Sequence, residues 1–235
     1  MGLAVVNEIG ACHDLDVSSI WVRDPGAADE LATPSGVIVS SERDHVIELA
    51  DVAIDFSLPG ATAKVADTVS RLRKPLVCGV SGIGDEELAA LDRAAAVVPL
   101  VYDRNMSQGV AVLQSLAERA ARALGDDFAI EIHETHHVHK KDAPSGTALK
   151  LGAAVSDARD MDDADAIRYQ SERRGEVPGD HDVIFSSPNE RLTLSHSVTT
   201  RHVFAEGALR AARWVISQQA GRYDMHDVLF GDMAN

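Results

Sequence analysis

Over the first hundred or so residues, short apolar runs alternate with amphipathic stretches, and this alternation most constrains the fold. The runs at 17–22, 37–39, 52–56, 76–80 and 98–102 have strand length and are rich in Val, Ile and Leu. Between them lie helix candidates. Residues 61–73 follow Pro59-Gly60, and 85–96 open on Asp85-Glu86-Glu87, acids that suit the positive end of a helix. Strands and helices in this order predict βαβ units on a parallel sheet.

Beyond about Ser107 the pattern changes. Residues 109–124 have helical spacing, with Val110, Leu113, Leu116, Ala120 and Leu124 broadly along one side. Residues 128–136 read as a strand and 147–158 as a helix. Strand-like runs at 166–169, 182–185 and 191–197 then follow one another without helices, and a closing helix covers 205–219. This predicts an α+β piece after the α/β piece. The acid-rich stretch 157–165 reads as a solvated loop.

The formal charge of −15 speaks against a nucleic-acid binder, which needs a basic face to displace counterions. It also means that a site for an anionic molecule must gather its own Lys, Arg or helix N-termini. No run approaches the ~20 apolar residues of a membrane span, and the N-terminus lacks a signal-peptide layout, so the expected setting is cytoplasmic. Cys12 and Cys78 form no C-x-x-C pair, and Cys78 sits in an apolar run that suits a buried thiol.

The segment from Glu131 to Thr147 carries the chemistry. It holds His133, His136, His137 and His139, then Lys140 and Lys141, then Pro144-Ser145-Gly146-Thr147. Pro144 stops an extended chain and Ser145 is a favoured N-cap. The amides around Gly146 and Thr147 then suit a carboxylate, and Gly146 allows close approach. Lys140 supplies a compact cation or a proton. His136 is the natural general acid, because imidazole titrates near neutral pH. The same residues contain His133-Glu134-Thr135-His136-His137, the H-E-x-x-H pattern of zinc hydrolases. That chemistry needs His133 and His137 one helical turn apart. The strand-like alternation of Phe128-Ala-Ile-Glu-Ile132 separates them by ~13 Å instead, so no metal is expected.

Glu134 to Ala148, read as Glu-x-His-His-x-x-Lys-x-Asp-Ala-Pro-Ser-Gly-Thr-Ala, resembles the signature of the dihydrodipicolinate reductase family. Ala53-Ile-Asp-Phe-Ser57, Gly79-Val-Ser-Gly82 and Asn105-Met-Ser-x-Gly109 resemble landmarks of its cofactor domain and hinge. Ser171-x-Arg-x-Gly-x-Val-x-Gly-x-His181 and Phe204-Ala-x-Gly-Ala208 resemble its substrate domain and return helix. The resemblance implies a Rossmann-like dinucleotide-binding domain at 1–106 plus 207–235, and an α+β substrate and tetramerisation domain at 107–206. It also implies reduction of a cyclic dicarboxylate, hydroxy-tetrahydrodipicolinate, with NADH or NADPH, in a homotetramer. His136 would be the proton donor and Lys140 a second catalytic residue, with His137, Gly146 and Thr147 holding the substrate. Arg23, Gly79, Val80, Ser81, Asp103, Arg104, Asn105 and Met106 would border the cofactor.

The family opens with a strand and a Gly-rich turn that carries the pyrophosphate at a helix start. Here Met1-Gly2 reads as the tail of that turn, with Leu3, Val6 and Ile9 spaced along the first helix. The first strand and most of the phosphate loop are then absent, and NAD(P)H is expected to bind weakly or not at all. The rival reading makes 3–6 the first strand, followed by a poor phosphate loop with one glycine and an acid. Two other functions stay open: a catalytically silent relative that binds pyridine dicarboxylates, and the zinc hydrolase.

Overall fold

The structure is a computed structural model that describes residues 1–24, 26, 33–161 and 166–231. The chain forms two compact units, Met1–Met106 with His202–Asn235, and Ser107–Arg201.

The first unit begins with α1 (Gly2–Ile9), β1 (Ser19–Trp21), β2 (Ile38–Ser40) and α2 (Arg43–Glu48). It continues through β3 (Ala53–Asp55), α3 (Pro59–Leu72), β4 (Leu76–Cys78), α4 (Asp85–Ala95) and β5 (Pro99–Tyr102). Residues 3–6 are therefore helical, and the reading that made them a strand is wrong. Pro59 opens α3, where its missing N–H costs nothing. At α4 the Glu87 carboxylate reaches back to the Gly84 amide at 2.9 Å, closing the first turn. β4 is buried along its whole length, as parallel strands covered on both faces are. Leu76, Cys78 and Leu100 pack with Val65, Val69 and Leu91 from the helices.

The second unit comprises α5 (Gln108–Leu124), β6 (Ala129–His136), α6 (Gly146–Ala158), β7 (Arg168–Arg173), β8 (Asp180–Ser186) and β9 (Arg191–His196). Its sheet runs β7-β6-β8-β9, with β6 parallel to β7 and the other pairs antiparallel. Leu113, Ala117, Leu151 and Val155 from α5 and α6 pack on Ile130, Ile132, Val183 and Phe185. The buried stripe of α5 is Val110, Leu113, Ala117 and Ala121; Leu116, expected on it, is 47% exposed. Of the expected loop at 157–165, Asp157 belongs to α6, while 162–165 lie outside the described residues.

The chain then returns to the first unit with α7 (His202–Val215), β10 (Gly221–Tyr223) and α8 (Met225–Phe230). β10 adds to β5 in parallel, giving the order β10-β5-β4-β3, while β1 and β2 form a separate parallel pair. A parallel α/β unit thus accompanies an α+β unit, as the alternation of elements predicts.

Candidate active site

The site in the second unit is built on the period of β6. Alternate side chains face opposite sides of the sheet, so Ile130, Ile132, Glu134 and His136 turn inward while Glu131, His133 and Thr135 face the other way. His133 accordingly pairs with Glu131 at 3.2 Å, on the face opposite Glu134. The zinc reading, which needs Glu134 as base beside His133 and His137, fails on this geometry, because His133 and Glu134 face opposite sides of the sheet.

Glu134 is the organising group. It is 3% exposed, and its Oε2 lies 2.5 Å from His136 Nδ1. Arg173 donates to both of its oxygens at 2.9 Å, and the Ser145 amide donates to Oε1 at 3.2 Å. Burial pushes the carboxyl up, but the hydrogen bonds from Arg173, Ser171 and His136 outweigh it and hold the group at about 2. Parallel pairing of β6 with β7 sets His136 opposite Arg173.

With Nδ1 turned to Glu134, the Nε2 edge of His136 looks past Gly179. A Cβ at Gly179 would stand 2.9 Å from that nitrogen, so only glycine leaves it open. Behind the ring, His181 meets it edge to face at 5.2 Å between centroids, and His181 Nε2 lies 3.3 Å from Ser145 Oγ. Burial lowers the His136 pKa against the upward pull of Glu134, and it takes His181 down to about 3. Both rings are therefore neutral near pH 7.

Arg173 also reaches the carbonyl oxygens of Lys140 and Asp142, at 3.3 and 2.5 Å. This fixes the loop before α6. Ser145 caps that helix by accepting from the Ala148 amide at 3.1 Å. Lys140 Nζ lies 2.8 Å from Asp142 Oδ1. Burial pushes the Asp142 carboxyl up, but Lys140 and the Asp142 and Gly146 amides together hold it below its ordinary value. A carboxylate thus already rests on the cation and helix start expected to take one. A Cβ at Gly146 would meet nothing within 4 Å, so the space over it is open. His137 is half-buried just beyond β6, with its ring 6.2 Å from that of His139.

The structure brings His136, Lys140, Gly146 and Thr147 onto one strand end and the loop and helix start that follow. In the sequence, Glu134 has a role only as the base of the zinc pattern, and Arg173, Gly179 and His181 have none beyond their places in the substrate-domain motif. The signal for Glu134 was available, since a residue two before His136 on a strand shares its face. Arg173, Gly179 and His181 required the register of β7 and β8.

In the first unit, Gly79–Ser81 follow β4 and Asp103–Met106 follow β5, and the Asp103 amide donates to the Cys78 carbonyl at 3.2 Å. Side by side at the carboxyl ends of parallel strands, these turns stand where α/β sheets bind ligands. Val80, Asp103 and Met106 turn their side chains inward. Asp103 accepts from the Asn105 and Met225 amides at 3.2 and 3.4 Å, so its carboxylate ties α8 to the loop. Gly79 has a packing reason of its own, because a Cβ there would strike the Phe56 ring at 2.2 Å. Arg23 is exposed just after β1, on the separate strand pair. The start of α1 has no side-chain cap, and a Cβ at Gly2 would meet nothing within 4 Å. Uncapped amides with room above them fit a phosphate of a dinucleotide.

Residues 1–106 match the sequence family described as dihydrodipicolinate reductase, N-terminus, and residues 109–229 the one described as dihydrodipicolinate reductase, C-terminus. A 4-hydroxy-tetrahydrodipicolinate reductase from Alkalilimnicola ehrlichii is 43% identical over 253 residues, spanning 97% of this chain and 94% of the relative. One from Wolinella succinogenes is 38% identical over 246 residues, with the same coverage of 97% and 94%. Among solved structures, a dipicolinate-bound dihydrodipicolinate reductase from Paenisporosarcina sp. TG-14 has a TM-score of 0.81 at 20% identity, covering 96% of this chain and 94% of the other. An amine dehydrogenase from Mycobacterium smegmatis has a TM-score of 0.66 at 13% identity, covering 96% and 92%. These structures support the fold, and the two family halves, matched in order, establish that the chain belongs to the dihydrodipicolinate reductase family.

Proposed function

We propose that the chain reduces 4-hydroxy-tetrahydrodipicolinate to tetrahydrodipicolinate, a step of lysine and diaminopimelate biosynthesis, using NADH or NADPH. One observation carries the reading. Glu134 holds His136 by Nδ1, with its Nε2 edge beside Gly179, on a strand that leads into a lysine and a helix start already stabilising a carboxylate.

The dinucleotide, when bound, supplies the hydride. Gly79–Ser81 and the turn from Asp103 to Met106 would border its nicotinamide end, and the start of α1 would take a phosphate. The rest falls to this chain's own residues. Lys140, Gly146 and Thr147 hold the substrate carboxylates, displacing Asp142 from its place, and His137 flanks them. The arriving negative charge raises the His136 pKa, so the imidazole takes up a proton and donates it from Nε2. Hydride and proton together balance loss of the hydroxyl as water. Glu134 keeps Nδ1 protonated and stabilises the imidazolium, while Arg173 keeps Glu134 ionised.

The setting we propose is a cytoplasmic homotetramer associated through the second unit's sheet, where β7 and β9 are mostly exposed. No helix among the described residues is long and apolar enough to cross a membrane.

The test is His136→Ala in a catalytically active parent. Turnover is expected to fall by roughly 10²- to 10⁴-fold, far more than the loss of a buried hydrogen bond to Glu134 lowers the urea midpoint. Turnover equal to the parent's would overturn the assignment.

A further inference from the structure

The cation and helix start that the proposed mechanism gives to substrate carboxylates are held by a carboxylate of the chain itself. Lys140 Nζ and Asp142 Oδ1 are 2.8 Å apart, and the Gly146 amide also bonds the Asp142 carboxylate. Lys141 alone separates the two partners, so the contact closes within a single loop and forms whenever that loop is in place.

The backbone under the pair is fixed. Arg173 holds the Lys140 carbonyl through Nε and the Asp142 carbonyl through Nη2, and the same guanidinium binds Glu134. Pro144 then restricts the chain, and Ser145 caps α6. What stays free to move is the Asp142 side chain, by rotation about its own torsions. Exposure separates the partners further, since the Lys140 side chain is 22% exposed and that of Asp142 55%. The cation lies deeper, and the carboxylate covers it from the solvent side. When Asp142 turns into water it regains hydration, and a ligand carboxylate in its place leaves no partly buried charge unpaired.

We infer that Asp142 is a specificity-determining residue, an internal competitor that a ligand must displace from Lys140 and the start of α6. This role rests on the reading of the site as one for a cyclic dicarboxylate. A tethered carboxylate competes at an effective concentration of about millimolar or more. It therefore lowers the affinity of every ligand for this subsite by one common factor. A monocarboxylate or a phosphate merely exchanges one anion for another and gains little. A dicarboxylate brings a second carboxylate, whose contacts come in addition, and that second set decides binding. Asp142 thus sets a threshold that one anionic group does not pass and two at fixed spacing do. A brace that only kept Lys140 in position would act with the opposite sign, because removing it would weaken binding.

The experiment measures binding to the intact chain by calorimetry, with dipicolinate and its single-carboxylate counterpart picolinate as probes. Asp142→Asn and Asp142→Ala are compared with the parent. Glu176→Gln, which removes an exposed charge paired with His139, controls for charge alone. Both Asp142 variants are expected to bind both probes about three- to tenfold more tightly, the worth of a surface ion pair together with a helix-terminal contact. The gain should be similar for the two probes and persist at about 0.5 M salt, where charges beyond contact are screened. Glu176→Gln should change neither affinity by more than about twofold. Unchanged or weaker binding by both Asp142 variants would overturn the inference while leaving the dicarboxylate site in place. A gain that is larger for the doubly charged probe and vanishes in salt would also overturn it, as the mark of charge acting at a distance. If parent and variants alike bind neither probe, the reading of the site falls and the inference with it.

Discussion

At the scale of single residues, the candidate site is organised by a buried carboxylate paired on every side. Glu134 is kept charged by Arg173, and its charge and hydrogen bond oppose the burial that depresses His136. Glu134→Gln preserves the shape but removes that support, so the pKa of His136 should move further down. Its proton would be harder to hold, and the limb of the kcat/KM pH profile set by this acid should shift to lower pH. The expected loss in kcat is about 10- to 100-fold, the usual penalty for an orienting partner. An unshifted limb would mean that Glu134 supports the fold only. Sequence made His136, Lys140 and the Pro-Ser-Gly-Thr turn visible because their chemistry is local. The roles of Arg173, Gly179 and His181 were not visible, because each meets His136 or Glu134 only through strand pairing across more than thirty residues.

At the scale of elements, the strands and helices with clear periods were readable, and the short or polar ones were not. β6 and α6 announce themselves by alternation and a serine cap. β7 reads Arg-Tyr-Gln-Ser-Glu-Arg, so its apolar signal is faint and only its first residues looked like strand. α2, α8 and β10 are too short to show a period. The return of α7 is sharper than its sequence suggests. A Cβ at Gly207 would stand 1.7 Å from the Met106 carbonyl oxygen, a backbone atom that cannot swing aside. Gly207→Ala should therefore force the helix off its seat and destabilise the chain by roughly 1–3 kcal/mol, read as a lower urea midpoint. A wild-type midpoint would show that the helix can shift without cost.

At the scale of the whole molecule, stability should depend on keeping buried histidine neutral. His181 sits at about 3 in the folded chain against roughly 6.5 when unfolded. Between those values the unfolded chain binds a proton that the native chain refuses, so stability rises with pH there. The contribution is complete above about pH 6.5 and is lost as the pH falls toward 3, at roughly 1.4 kcal/mol per unit. Glu134, lowered to about 2 from an ordinary 4.5, loses its own contribution in the same direction as the pH falls from about 4.5 to about 2, overlapping the lower part of the His181 window. Urea titrations between pH 6.5 and 4.5 should show this slope, and His181→Gln should flatten it by about one proton; equal slopes would exclude the assignment. The route of the chain has a further consequence, for the order in which the protein is made. The second unit is one contiguous stretch, whereas the first needs α7, β10 and α8 from the far end. On the ribosome, the part translated first must wait with its sheet edge at β5 and the seat of α7 uncovered until the last residues emerge. The catalytic strand and its loop can meanwhile fold ahead of it.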